Sequence, residues 1–180
     1  VIQALEALLP VEAEAEPGDG TEPAAVVEPA CEGFRPLTPE FAASLHMDLE
    51  PLQEIAELLE ENRQLLLYGP PGTGKTYLAK HLAAQLAGDT TDDRVKLVQF
   101  HPSYAYEDFF EGFRPDKTEE GQVSFKLVAG PLRRIAEEAA KPGNESKPYF
   151  LIIDEMNRAN LAKVFGELYF LLEYRDDRIY

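Results

Sequence analysis

The sequence predicts an α/β domain in three layers, with helices on both sides of a parallel sheet. Two observations carry this. Along residues 37–180, short apolar runs alternate with stretches of helical periodicity, the pattern of parallel strands joined by crossover helices. One of those runs, residues 64–68, passes straight into "GPPGTGKT" (69–76) and then into a helical pattern, the strand–loop–helix order of a phosphate-binding loop.

Composition suits one soluble core. The 180 residues are 44% hydrophobic and 28% charged. No apolar run reaches the ~18–20 residues that span a bilayer. The start lacks an initiator Met and the basic flank of a signal peptide, so a piece of a longer cytoplasmic protein is expected. The one cysteine, Cys31, has no intrachain partner, and His46, His81 and His101 are scattered, so no zinc cluster is expected. The net charge of −16 is uneven. Residues 1–62 hold 15 of the 33 acidic residues and one of the 17 basic ones, Arg35, for a net −14. The remainder, 18 acidic against 16 basic, is near neutral and offers no basic stripe for direct nucleic-acid binding.

The elements follow in order. Residues 1–9 read as a helix end, and residues 10–36, rich in Glu, Ala, Pro and Gly, as a disordered acidic linker. The domain proper runs from 37 to 180. A bridging segment at 37–47 starts a helix at Thr38-Pro39. Leu52, Ile55, Ala56 and Leu59 mark an amphipathic helix. Residues 64–68 form a buried strand and 76–86 a helix with Leu78, Leu82 and Leu86 along one face. Residues 95–100 are a second strand, 104–110 a short helix and 123–128 one arm of a hairpin. Gly130-Pro131 opens a helix that buries Leu132, Ile135, Ala136 and Ala139, because proline suits the first helical position. Residues 141–148 form a loop and 150–153 an apolar strand. Leu161, Val164, Phe165, Leu168 and Leu172 mark one further amphipathic helix.

The loop Gly69, Pro70, Pro71, Gly72, Thr73, Gly74, Lys75, Thr76 satisfies G-x-x-x-x-G-K-[ST]. Glycines permit the partly left-handed path that turns successive N–H groups toward phosphate oxygens. The following helix adds free N–H groups and its positive end. Lys75 is expected at the β- and γ-phosphates and the Thr76 hydroxyl on Mg²⁺. Such a loop needs a carboxylate from a neighbouring strand to hold the metal. "YFLIIDE" supplies it: Asp154 emerges at the strand end as metal partner, and Glu155 is placed as general base toward water. Asn157 could orient water or the glutamate, and Arg158 could read the phosphate state or bridge to a neighbouring subunit; a helix cap and a surface arginine explain the pair equally well. Tyr104, Tyr106, Phe109, Phe110 and Phe113 cluster after the second strand and read first as core and interface packing, with a DNA or partner contact as the sharper alternative.

"GPPGTGKT", "VQFHPSYAYEDFFEGFRP", "GPLRRIAEEA" and "IIDEMNRANLAKVFGELYFLLEYRD" together resemble AAA+ ATPases, most closely the McrB family of GTPase subunits from methylcytosine-dependent restriction systems, over residues 37–180. The resemblance implies a P-loop NTPase αβα core and a hexameric ring with nucleotide between subunits. It further implies GTP hydrolysis that moves DNA, an McrC-type endonuclease partner, and a separate domain that recognises modified DNA. Residues through Tyr180 stop inside or before the fourth core strand. The family's sensor asparagine, arginine finger and lid therefore take no residue here, and an unpaired sheet edge and weak hydrolysis by the isolated chain are expected. Two other readings share these motifs: an ATP-driven MoxR-type remodelling chaperone, and a nucleotide-gated assembly module that scarcely hydrolyses. The intact Lys75, Thr76, Asp154 and Glu155 speak against the second of these. No NKxD-like guanine signature is present, so GTP is favoured by resemblance. Base contacts are expected near residues 37–47.

Overall fold

The computed structural model describes residues 33–88, 94–117 and 123–173. Cys31 and the acidic segment up to residue 32 lie outside them. The first helix, α1 (Pro39–Ser44), starts as its sequence requires. Thr38 Oγ1 accepts a hydrogen bond from Phe41 N–H at 3.2 Å, and Pro39 takes the first turn, where no N–H is needed. Helix α2 (Leu49–Asn62) buries Leu52 and stops at Arg63 in the left-handed region, whose N–H reaches Leu59 O at 2.9 Å. Helix α3 (Lys75–Ala87) follows the glycine-rich loop, buries Leu82, Ala83, Leu86 and Ala87, and ends on the left-handed Gly88. Phe34 and Arg35, on the linker side of the expected boundary, join this body. Phe34 lies 5.5 Å from the Phe150 ring, and Arg35 N–H donates to Leu86 O at 3.1 Å.

Strands β1 (Val95–Gln99) and β4 (Phe150–Asp154) pair in parallel, from Val95 opposite Phe150 to Gln99 opposite Asp154. Between them run helix α4 (Tyr106–Phe109), an antiparallel hairpin β2 (Glu111–Lys117) and β3 (Val123–Ala129), and helix α5 (Pro131–Ala139). After β4 come a 3₁₀ turn (Met156–Arg158), α6 (Leu161–Phe165) and α7 (Leu168–Glu173). The period-2 alternation of strands assigns the sheet faces. Val98, Leu151 and Ile153 turn to a cluster of Phe100, Phe109, Phe110, Leu132, Ala136, Val164, Phe165 and Leu168. Phe150, Ile152 and Asp154 turn to the other face, where α3 packs on both strands. This is the predicted αβα sandwich.

The aromatic segment is largely the centre of that core. Phe100 is fully buried and meets Phe109 edge-on at 5.5 Å and Tyr104 in a stack at 4.8 Å; Phe109 meets Phe165 at 5.3 Å. The packing reading of Tyr104, Tyr106, Phe109 and Phe110 therefore holds, but Phe113 departs from it. It sits on the hairpin, 69% exposed, on one face with the equally exposed Phe125 and with Leu127 and Val123. The hairpin's base is rigid. Gly130 N–H donates to Phe110 O at 2.5 Å, and a Cβ at Gly130 would collide with the Phe109 carbonyl. One at Gly112 would lie 2.6 Å from Glu107 O. Ion pairs Arg114–Asp108 and Arg133–Glu111 brace it to α4 and α5.

Two expectations are corrected. Residues 64–68 are not a buried strand: they form no ladder, and Leu66 is 65% and Tyr68 89% exposed. A strand needs a neighbour to pair its backbone groups, and neither β1 nor β4 pairs with this segment. Residues 161–172 are not one helix either. Gly166, at φ 49° and ψ −123°, breaks them in two while Val164, Phe165 and Leu168 all remain buried. The expected hairpin is present: β3 pairs with β2, whose Gly112 and Pro115 weaken a strand pattern in the sequence.

Phe100→Ala is expected to lower unfolding free energy by about 3–5 kcal/mol, and Gly130→Ala by about 1–3 kcal/mol, in urea titrations. Wild-type stability for either variant would show that the core or the hairpin base is not close-packed as described.

Candidate nucleotide-binding site

The loop's path explains its glycines. Gly69, Gly72 and Gly74 have φ of 151°, 78° and 79°, in the region side chains avoid. A Cβ at Gly72 or Gly74 would meet nothing within 4 Å, so backbone conformation, not space, demands glycine there. Pro70 and Pro71 are exposed between them and donate no N–H. Thr73 Oγ1 donates to Pro70 O at 3.0 Å and closes the turn. Lys75, in the first turn of α3, curls back over the loop, its Nζ donating to Gly69 O at 3.1 Å and Pro70 O at 2.7 Å. Its charge is thus held at the loop's mouth beside the helix N-terminus, where an anion is favoured.

The acidic end of β4 meets this loop. Thr76 Oγ1 donates to Asp154 Oδ1 at 3.1 Å across 78 residues of sequence. The same Oδ1 accepts Glu155 N–H at 3.0 Å. Glu155 is exposed and left-handed at φ 53°, ψ 37°, a conformation a non-glycine residue holds only under constraint. The tertiary structure therefore brings Gly69–Gly74, Lys75, Thr76, Asp154 and Glu155 to one place. Asn157 and Arg158 follow in the 3₁₀ turn, where both are exposed and make no side-chain hydrogen bond among the described residues. The helix cap is Asn160, whose Oδ1 accepts Lys163 N–H at 3.2 Å.

The donor set suits magnesium. A hydroxyl and a carboxylate in direct contact are hard oxygen donors, and Mg²⁺ is usually held by one or two carboxylates together with substrate phosphates. No cluster of three or more acidic, His or Cys ligands occurs among the described residues. Asp154 and Glu155 would repel a triphosphate unless a cation stood between, which gives the metal an electrostatic reason.

Two features escaped sequence reading. Tyr77, directly after Thr76, is exposed and lies 4.2 Å from the His81 ring; its position after Lys75-Thr76 was the available signal. A cavity of about 480 Å³ opens where α1 faces α3, lined by Arg35, Phe41, Ser44, His81 and Gln85 among others. Phe41 and Ser44 fall within the expected base-contact segment; Arg35 and Gln85 had no periodic or motif signal.

Comparison with known proteins agrees with this geometry. Residues 64–178 match the AAA domain family, dynein-related subfamily. The chain is 42% identical over 123 residues to the type IV methyl-directed restriction enzyme EcoKMcrB subunit of Escherichia coli K12, covering 68% of this chain and 25% of that protein. It is 29% identical over 157 residues to the type II restriction enzyme BsuMI component YdiS of Bacillus subtilis 168, covering 76% of this chain and 45% of that one. Over 99 residues it is 34% identical to an AAA ATPase forming ring-shaped complexes from Bifidobacterium animalis subsp. lactis, 55% of this chain and 16% of that protein. The chain thus spans a quarter to just under half of the two restriction relatives. With more than half its length matched and its phosphate loop joined to the acid-tipped strand, this chain belongs to the dynein-related AAA family.

Proposed function

We propose that this chain is the nucleotide-hydrolysing motor part of a modification-dependent DNA restriction complex, Mg²⁺-dependent and fuelled by GTP. The observation that carries the hydrolytic reading is the Thr76–Asp154 hydrogen bond, which joins the phosphate loop to the metal-binding carboxylate. The restriction reading rests on the two restriction relatives. GTP rests on the McrB resemblance alone. Mg²⁺, held by Thr76 and Asp154, would neutralise charge on the β- and γ-phosphates.

The chain's own residues divide the work. Backbone N–H groups of Gly69 and of Gly72, Thr73 and Gly74 cradle the phosphates. Lys75 exchanges its loop carbonyls for β- and γ-phosphate oxygens. Glu155 takes a proton from the attacking water, and Asn157 orients that water or the glutamate. In the whole protein the nucleotide lies between subunits of a homo-hexameric ring. An McrC-type endonuclease docks on that ring, and DNA is engaged through the complex or a separate domain. The working compartment is the cytoplasm; among the described residues no helix is long and apolar enough to cross a membrane.

In the full-length protein, Glu155→Gln is expected to lower kcat by about 100-fold or more with nucleotide affinity retained, and Asn157→Ala to lower it less. Unchanged turnover in the Gln variant would remove Glu155 from its role. Thr76→Ala is expected to raise the Mg²⁺ concentration needed for half-maximal turnover, which a magnesium titration reads directly. Parallel assays with GTP and ATP are expected to favour GTP; preference for ATP would move the chain to the remodelling-chaperone reading.

A further inference from the structure

The cleft between α1 and α3 stands apart from the phosphate loop, and its charge is one-sided. Its volume is about 480 Å³, and Arg35, Phe41, His81, Ala84 and Gln85 are among its lining. No carboxylate belongs to that lining among the described residues. Helix α3 carries Lys75, Lys80 and His81 and no acidic residue. The one acid of α1, Glu40, is held at its own helix start by its backbone N–H and by Thr38. In a chain of net charge −16 such a place is an exception. Arg35, the one basic residue among the first 62, stands in it.

The polar side chains are positioned and keep donors to spare. The Arg35 stem occupies the place a Cβ at Gly88 would take, so that glycine makes room for the arginine. Its guanidinium forms no hydrogen bond or ion pair among the described residues, which leaves its five donors available. Gln85 Nε2 donates to Pro36 O at 3.3 Å, which fixes the amide and leaves its second N–H. His81 rests against the Tyr77 ring at 4.2 Å, and its nitrogens have no hydrogen bond among the described residues. Phe41 and Ala84 add apolar surface. A guanidinium fork matches two oxygens of a carboxylate or a phosphate. Cavities of this size that join apolar walls to a few polar groups suit small organic ligands.

We propose that this cleft binds a small organic oxyanion, a carboxylate or a phosphate monoester. The charged group pairs with Arg35, the spare N–H of Gln85 or a His81 nitrogen adds a hydrogen bond, and the apolar body lies on Phe41 and Ala84. The site is distinct from the phosphate loop, since Gln85 lies about 15 Å along α3 from Lys75. It does not depend on which nucleotide is hydrolysed.

The test is an NMR titration of the chain's backbone amides with benzoate and with phenyl phosphate, benzyl alcohol serving as the neutral control. At least one anion is expected to shift the amides of Ser44, His81, Gln85 and Gly88 and to bind about tenfold or more tightly than the alcohol. Which of the two binds separates carboxylate from phosphate chemistry. Arg35→Gln is expected to weaken the anion by about tenfold, and Gln85→Glu, which sets a carboxylate in the cleft, to do the same, with amides outside the cleft unchanged in both. Lys75→Ala and saturating GTP or ATP are expected to leave the affinity as it was. No shift at these amides, an equal response to the alcohol, undiminished affinity in both cleft variants, or displacement by either nucleotide would overturn the proposal.

Discussion

The contact on which the rest of this structure turns is the hydrogen bond from Thr76 to Asp154. It couples the first turn of α3 to the end of β4, two elements with no local reason to meet. For that bond to form, α3 must lie on the sheet face to which Phe150, Ile152 and Asp154 point. The aromatic core is thereby confined to the opposite face. The same carboxylate oxygen also receives Glu155 N–H, so the polar contact orients the next residue as well. A carboxylate fixed by two donors is pre-organised for a metal, and ordering need not accompany ligand arrival.

Strain and order are distributed accordingly. The loop holds three glycines at positive φ, and Glu155 shares the left-handed region without a glycine's freedom. On the opposite sheet face the core rings are interlocked, Phe100 edge-on to Phe109 and Phe109 edge-on to Phe165. Close-packed aromatics of this kind resist deformation. The hairpin is built differently. It is fixed at its base by Gly112 and Gly130, where two backbones approach too closely for a side chain, and it projects Phe113 and Phe125 into solvent.

Much of the site was legible in the linear sequence because its chemistry is local. The glycine spacing encodes backbone angles, Lys-Thr opens the helix that follows the loop, and an apolar run ending in Asp-Glu encodes a strand with carboxylates at its tip. Helix starts were legible for the same reason: Thr38-Pro39 and Gly130-Pro131 act through bonds and dihedrals within one turn. Arg35 and Gln85 were not legible, since they line their cavity only because α1 and α3 come together. Residues 64–68 misled because an apolar run reports a preference for burial and does not report whether a neighbouring strand exists to pair with it.

The sequence alone determined that this protein has a phosphate loop, an acidic strand end and an αβα core, because each follows from residue types at short spacing. Only the tertiary structure decided that Thr76 touches Asp154, that Asn160 and not Asn157 caps the next helix, and that Gly166 divides the last apolar stripe. These are outcomes of which surfaces meet. Contacts between residues far apart in the chain depend on the summed packing of every intervening element, which no short window of sequence contains.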